Sequence, residues 1–297
     1  MIPFLGELSA LLTAMLWTGS AMLFGAATSR MGSMEVNIGR LILALYYLVL
    51  TILLFGLDVR LASAQYVYLG VSGIIGLSLG DSFLFKAFQQ IGARLSMLIM
   101  ALSPAFTACL AFLFLHESIS FVGVAGMVVT IAGVSVVVVE RKEGSTSGYR
   151  ISASGIINGL LAALGQAVGL IFAKEAFMVG EINGLVATTI RIAASLTVLL
   201  PLAVLTRRYN SPHRTFARDR KGFFLVAAGA VLGPFLGITF SLIAVANTSA
   251  GIAATLMAIV PILMLPLVRY VQKEALSWKA VVGAFVAVGG VAMLFLR

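Results

Sequence analysis

A few ionisable side chains sit inside long apolar runs, where they stand out. Asp81 and Lys86 interrupt the third run, Arg40 lies in the second and Arg191 in the seventh. A charge at the centre of a bilayer costs about 2.5–3.5 kcal/mol on insertion scales, so each needs a cavity, a partner or a route to the interface. Five residues at about 100° each set Asp81 and Lys86 about 140° apart on a helix, so they do not pair along one stripe. Asp81 must therefore meet another helix or water, and it is the candidate for a proton- or substrate-linked carboxylate, with Lys86 modulating it. Three roles are open to Arg40 and Arg191: neutralising a bound anion, neutralising Asp81, or snorkelling to the interface.

The neutral polar set is softer. Thr13, Trp17, Ser20 and Phe24 recur at spacings of three and four and share one helical face, as do Asn158 and Gln166. An aromatic ring with amides would orient a small ligand that is part polar and part apolar, which makes Trp17, Gln166 and Asn158 candidate contacts. The competing role is hydrogen bonding between helices, at about 0.6 kcal/mol per pair. Tyr46, Tyr47, Thr188 and Ser195 are weaker candidates of the same kind. Hydrolytic metal chemistry needs clustered ligands. The two histidines, His116 and His213, lie far apart in loops, and the single cysteine, Cys109, lies in an apolar run. No catalytic residue, metal or cofactor is predicted.

The elements that hold these residues follow from composition. Of 297 residues 61% are hydrophobic and 10% charged, and mean hydropathy is +1.09. A soluble domain is about 45–50% apolar and about 25% charged, so lipid must be the solvent for most of this chain. The net charge of +9 does not point to nucleic acid, because the basic residues fall mostly between apolar runs. Ten runs are long enough for spanning helices, each needing about 20 residues. They cover 8–28, 36–57, 66–91, 95–115 and 121–139, then 152–173, 182–206, 223–246, 252–270 and 278–296. The first is read as a retained span, since no Lys or Arg precedes Arg30.

The chain repeats itself. Pro104, Glu117, Gly126 and Gly133 return as Pro261, Glu274, Gly283 and Gly290, at a constant offset of 157 (261 − 104). Gly76 and Gly80 fall on Gly233 and Gly237 at the same offset. Earlier in the unit the offset is 149 for Trp17 and Gln166 (166 − 17) and 151 for Arg40 and Arg191 (191 − 40), so the 207–221 loop carries an insertion. The organisation is a first repeat over 1–140, a polar linker over 141–150 and a second repeat over 151–297. Five spans per repeat is an odd number, so the second enters the membrane from the opposite side. The fold class is an all-α membrane protein of ten transmembrane helices in two inverted five-helix repeats. Ser120 and Ser277 are N-caps for the last helix of each repeat. Glu117 and Glu274 set the turns before them. Pro104 and Pro261 fall mid-span and should kink their helices. Paired breaks of this kind point to a central site. Glycine pairs such as Gly155/Gly159, Gly165/Gly169 and Gly126/Gly133 are helix-packing faces.

The segment Gly80-Asp81…Phe85-Lys86-Ala87…Ile91-Gly92-Ala93-Arg94, with Pro104 and His116-Glu117-Ser118-Ile119-Ser120, resembles the repeat unit of the EamA-type family of the drug/metabolite transporter superfamily. A second copy runs through Pro261, Glu274-Ala275-Leu276-Ser277-Trp278, Gly283 and Gly290. The resemblance implies inverted repeats and export or exchange of small metabolites by alternating access. The second copy departs from the pattern: Ile238 and Ile243 stand where Asp81 and Lys86 stand in the first, so a central site should be chemically asymmetric. The predicted function is a secondary transporter of small metabolites, amino acids or related amphipathic compounds, in the plasma membrane. The alternative is a lipid translocator or another integral membrane protein without carrier activity. The expected partners are a small-molecule substrate and the bilayer, with no nucleic acid; no pattern specifies an oligomeric state. The loops on the side of 207–221 hold most of the Lys and Arg, which predicts that side cytoplasmic and both termini outside. The resemblance implies the reverse.

Overall fold

The computed structural model describes residues 4–115, 120–144, 152–206, 209, 216–248, 253, 256–271 and 276–295. All regular secondary structure among them is helical. The first repeat comprises α1 (Leu5–Met31), α2 (Ser33–Phe55), α3 (Ser63–Gly73), a π-helical segment (Ile74–Gly80), α4 (Asp81–Met100), α5 (Ser103–Leu115) and α6 (Phe121–Gly144). The second comprises α7 (Ala153–Val179), α8 (Gly184–Leu205), α9 (Arg220–Ala230), a π-helical segment (Val231–Gly237), α10 (Ile238–Asn247), α11 (Val260–Val271) and α12 (Trp278–Phe295). Among the described residues, seven helices are long and apolar enough to cross a membrane, and two shorter ones, Val260–Val271 and Trp278–Met293, are apolar.

One of the seven, Ser63–Met100, has 38 residues. At 1.5 Å per residue it would reach about 57 Å, nearly twice a hydrocarbon core of about 30 Å. Gly92 resolves this: its φ of 79° and ψ of 160° are non-helical and bend the chain. Only glycine takes such a backbone without strain. The prolines act as breaks rather than gentle kinks. The chain turns at Ala101-Leu102 and at Ala258-Ile259, and Pro104 and Pro261 each take the second position of the next helix. There the missing N–H costs nothing.

Two helices outrun their apolar stretches. α7 continues past Lys174-Glu175 to Val179, and α6 runs through Glu140-Arg141-Lys142 to Gly144, into the expected linker. Charged side chains end an apolar run but not a helix, because Lys, Arg and Glu are good helix formers. The predicted caps form: Gly123 N–H donates to Ser120 Oγ at 3.1 Å and Ala280 N–H to Ser277 Oγ at 3.2 Å. Glu117 and Glu274 lie outside the described residues.

The two π segments were not anticipated, and they occupy equivalent places, 157 residues apart (231 − 74). Each is closed by an N–H that reaches five residues back, Asp81 to the Gly76 carbonyl and Ile238 to the Gly233 carbonyl. A Cβ on Gly80 would lie 3.3 Å from the Ile75 oxygen and one on Gly237 only 2.7 Å from the Leu232 oxygen. Glycine at the end of each segment makes room for the wider turn.

The repeats pack crosswise. α7 lies on the first π segment, with Gly165 against Gly80 and Gly169 against Gly76, and Ser72 Oγ donates to the Gly169 carbonyl at 2.5 Å. α1 lies on the second, with Ser20 and Phe24 against Gly233 and Trp17 against Gly237. α2 packs on α8 between them, where Leu41 and Leu48 join Ile192 and Leu199 in the core. α6 packs on α12, where a Cβ on Gly133 would lie 2.8 Å from the Gly283 oxygen. With no hydrophobic drive between helices in lipid, such close backbone approach supplies the attraction.

Candidate functional site

The site forms where α2, α8 and the residues that follow the first π segment meet. Asp81 is the first residue after that segment, and its carboxylate forms a buried ion pair with Arg40 Nη2. Arg40 is 4% exposed and Asp81 7%. Arg40 Nε and Nη2 also donate to Asn37 Oδ1 at 3.1 and 2.9 Å, and Asn37 Nδ2 donates to Ser82 Oγ at 3.1 Å. Ser82 Oγ in turn donates to the Ser78 carbonyl at 2.5 Å. The guanidinium carbon lies 4.6 Å from the Phe85 ring centroid and 5.7 Å from that of Phe24, a cation–π arrangement strengthened by desolvation. Arg40 is thus held on every side, and its charge is matched.

The second repeat rebuilds part of this with different chemistry. Thr188 takes the place of Asn37 and Thr239 that of Ser82. Thr239 Oγ1 approaches Thr188 Oγ1 at 3.4 Å and donates to the Phe235 carbonyl at 2.6 Å, the counterpart of the Ser82–Ser78 bond. Arg191 takes the place of Arg40, but the residue equivalent to Asp81 is Ile238, which is buried and apolar. Arg191 is 5% exposed, and its Nε has no hydrogen-bond partner among the described residues. Its one compensating charge is shared: Asp81 interacts electrostatically with both arginines. A Cβ on Gly76 would lie 3.3 Å from Gln166 Oε1 and 3.5 Å from Arg191 Nη2, so amide and guanidinium converge on that glycine. Gln166 Oε1, Ser78 Oγ and Ser195 Oγ are likewise buried without partners. Such orphaned groups are uncommon in folded chains, and each calls for an explanation.

The residues singled out by sequence therefore divide. Asp81, Arg40, Arg191 and Gln166 come together. Trp17 occupies the position equivalent to Gln166 and covers the second π segment. The hydroxyls on its helix face bond their own backbone, Thr13 to the Ser9 carbonyl at 2.8 Å and Ser20 to the Trp17 carbonyl at 3.1 Å. Asn158 lies apart, two turns from Gln166, donating to Gln90 Oε1 at 2.8 Å and to Ser154 Oγ at 3.4 Å. Lys86 is exposed and does not join Asp81. Tyr46 is exposed, and the Tyr47 ring lies 5.9 Å from that of Phe235. Sequence reasoning missed Asn37, Ser82 and Phe85. The signal was present for Asn37, one helical turn before Arg40, and for Phe85, one turn after Asp81.

At the end of the bundle where α1 finishes, Arg30 Nε and Nη2 donate to Asp219 Oδ2 and Oδ1 at 2.8 and 2.9 Å. Asp219 also caps α9 by accepting from the Gly222 N–H at 2.9 Å. The hydrogen bond from Arg30 and then that from Gly222 hold the Asp219 carboxyl below the usual carboxylate range. Tyr209 and Phe216, from the 207–221 loop, pack at this same end, Phe216 against Gly39 of α2.

The profile of the EamA-like transporter family matches residues 4–139 and 153–296, one copy per repeat. No curated protein matches the chain. A crystal structure described only as that of a protein has the same fold, with a TM-score of 0.67 at 18% identity over 97% of this chain and 94% of that one.

Proposed function

The chain belongs to the EamA-like transporter family, and from that premise we propose that it is a secondary carrier, exporting or exchanging a small metabolite across the plasma membrane. The solute is an amino acid or a related amphipathic compound. It binds between the repeats beside Gln166, Arg191 and Trp17, and the repeats rock to expose it to either side. The observation that carries this reading is the buried polar junction at the crossed repeats, with its orphaned Arg191, Gln166, Ser78 and Ser195 atoms. A purely structural interface in lipid would satisfy such groups.

The ten-span inverted architecture belongs to the same proposal. Seven long apolar helices become eight when Ser63–Met100 divides at Gly92 and its tail joins α5, and the two shorter apolar helices make ten. The Arg30–Asp219 pair supports gathering the basic loops at one end, which we assign to the cytoplasm. Purified protein in liposomes is expected to move labelled solute from a metabolite pool saturably and with counterflow. Conductance without saturation would mean a channel, and scrambling of labelled lipid would mean a lipid translocator.

A further inference from the structure

Duplication gave the two arginines one origin, yet only one retained its own counter-ion. Arg40 has Asp81, Asn37 and two aromatic faces, whereas Arg191 has only Ile238 at the position equivalent to Asp81 and leaves Nε unbonded. Two guanidinium groups and one carboxylate leave one positive charge in excess inside the bundle. A buried charge without a partner is among the costlier features a fold can carry. Beside it Gln166 Oε1 is a buried acceptor without a donor. Arg191 and Gln166 together thus match a single negative charge with a fork-shaped acceptor, next to a hydrogen-bond donor.

We propose that Arg191 is the receptor for the carboxylate of the transported solute, and that this solute is a small monoanionic acid with an adjacent hydroxyl, a 2-hydroxy acid. This rests on the central-site reading above and, of its two solute classes, takes the related amphipathic compounds against the amino acids. A monoanion cancels the excess charge, a phosphate dianion overshoots it, and a zwitterionic amino acid leaves it in place. The planar guanidinium matches a carboxylate edge-on, and the hydroxyl donates to Gln166 Oε1. Asp81 cannot serve as the receptor for this group, being itself an anion already paired with Arg40.

The test is thermal unfolding of the full chain in detergent against four probes. These are a pool of lactate, mandelate and 2-hydroxy-4-methylpentanoate, the matched amides, the L-amino acids, and sodium chloride. The hydroxy-acid pool is expected to raise the apparent Tm saturably, as a ligand specific for the folded state must, and the other three are not. Arg191→Gln should weaken the response at least about tenfold, which is about 1.4 kcal/mol. Ile238→Asp keeps Arg191 and places a carboxylate at the position equivalent to Asp81, so it should preserve or raise the unliganded Tm while removing the response. Equal stabilisation by the amides, a stronger response to amino acids or to chloride, no response to any probe, or a full response in Ile238→Asp overturns the proposal. Liposome exchange separates this from the carrier reading. Saturable exchange of other solutes, untouched by Arg191→Gln, sinks the receptor and keeps the carrier. Acid binding that follows Arg191 without any exchange does the opposite.

Discussion

Asp81 shows how much depends on one carboxylate. It pairs with Arg40 directly and attracts Arg191 at longer range, and all three are buried. Removing one partner of a buried pair leaves the other uncompensated, at about 3–5 kcal/mol, whereas replacing both with apolar residues is often neutral. Asp81→Asn is therefore expected to lower stability by that order and to impair exchange. Arg40→Met combined with Asp81→Leu should recover much of the stability without restoring exchange. Reversible unfolding in mixed micelles with a double-mutant cycle measures this, and strict additivity would show that the pair is not coupled. Lys86→Gln, at an exposed position, should stay within about 0.5 kcal/mol of the parent.

At the scale of elements, one glycine contact and one cap carry the predictions. Gly165 meets Gly80 so closely that an added Cβ would lie 2.8 Å from the Gly80 Cα. Gly165→Leu should force α7 off the first π segment, seen as a lower Tm and loss of exchange, while the same change at exposed Gly56 clashes with nothing, though its φ of 59° adds local strain. Asp219 both caps α9 and pairs with Arg30. Its folded-state pKa is depressed, so its contribution is complete above the unfolded value of about 4 and fades as pH falls through the lower folded one. Asp219→Asn keeps a capping side chain but loses the charge. Its Tm deficit should be present at pH 6 and shrink towards pH 3 in parallel scans.

The helices and the repeat were legible because each has a local cause, apolar length and a constant offset, whereas Pro104 and Pro261 marked interruptions whose form, a break between helices and not a kink within one, was not legible. The π segments were not legible. They arise where a widened turn relieves contact with a helix from the other repeat, and Gly76 and Gly80 read equally well as packing glycines. The same holds for the site. Asp81 and Arg40 announced themselves by the cost of charge in lipid, but that they pair, that Asn37 holds them and that Lys86 turns away depended on helix rotation. The π turns alter that rotation just before Asp81.

For the whole molecule, the gathering of basic loops makes a prediction about the membrane. A reporter fused after Arg297 should be active only when that enzyme works outside the cytoplasm. Activity of a cytoplasm-only reporter at that position would reverse the assignment. In a carrier built from inverted repeats, each repeat takes over the other's conformation when the molecule turns over. Two identical repeats would make the outward- and inward-facing forms equal in energy. On the carrier cycle proposed above, Ile238 in the place equivalent to Asp81 would remove that degeneracy, and the empty protein would rest unevenly between its two faces, with one leg of the cycle faster than the other.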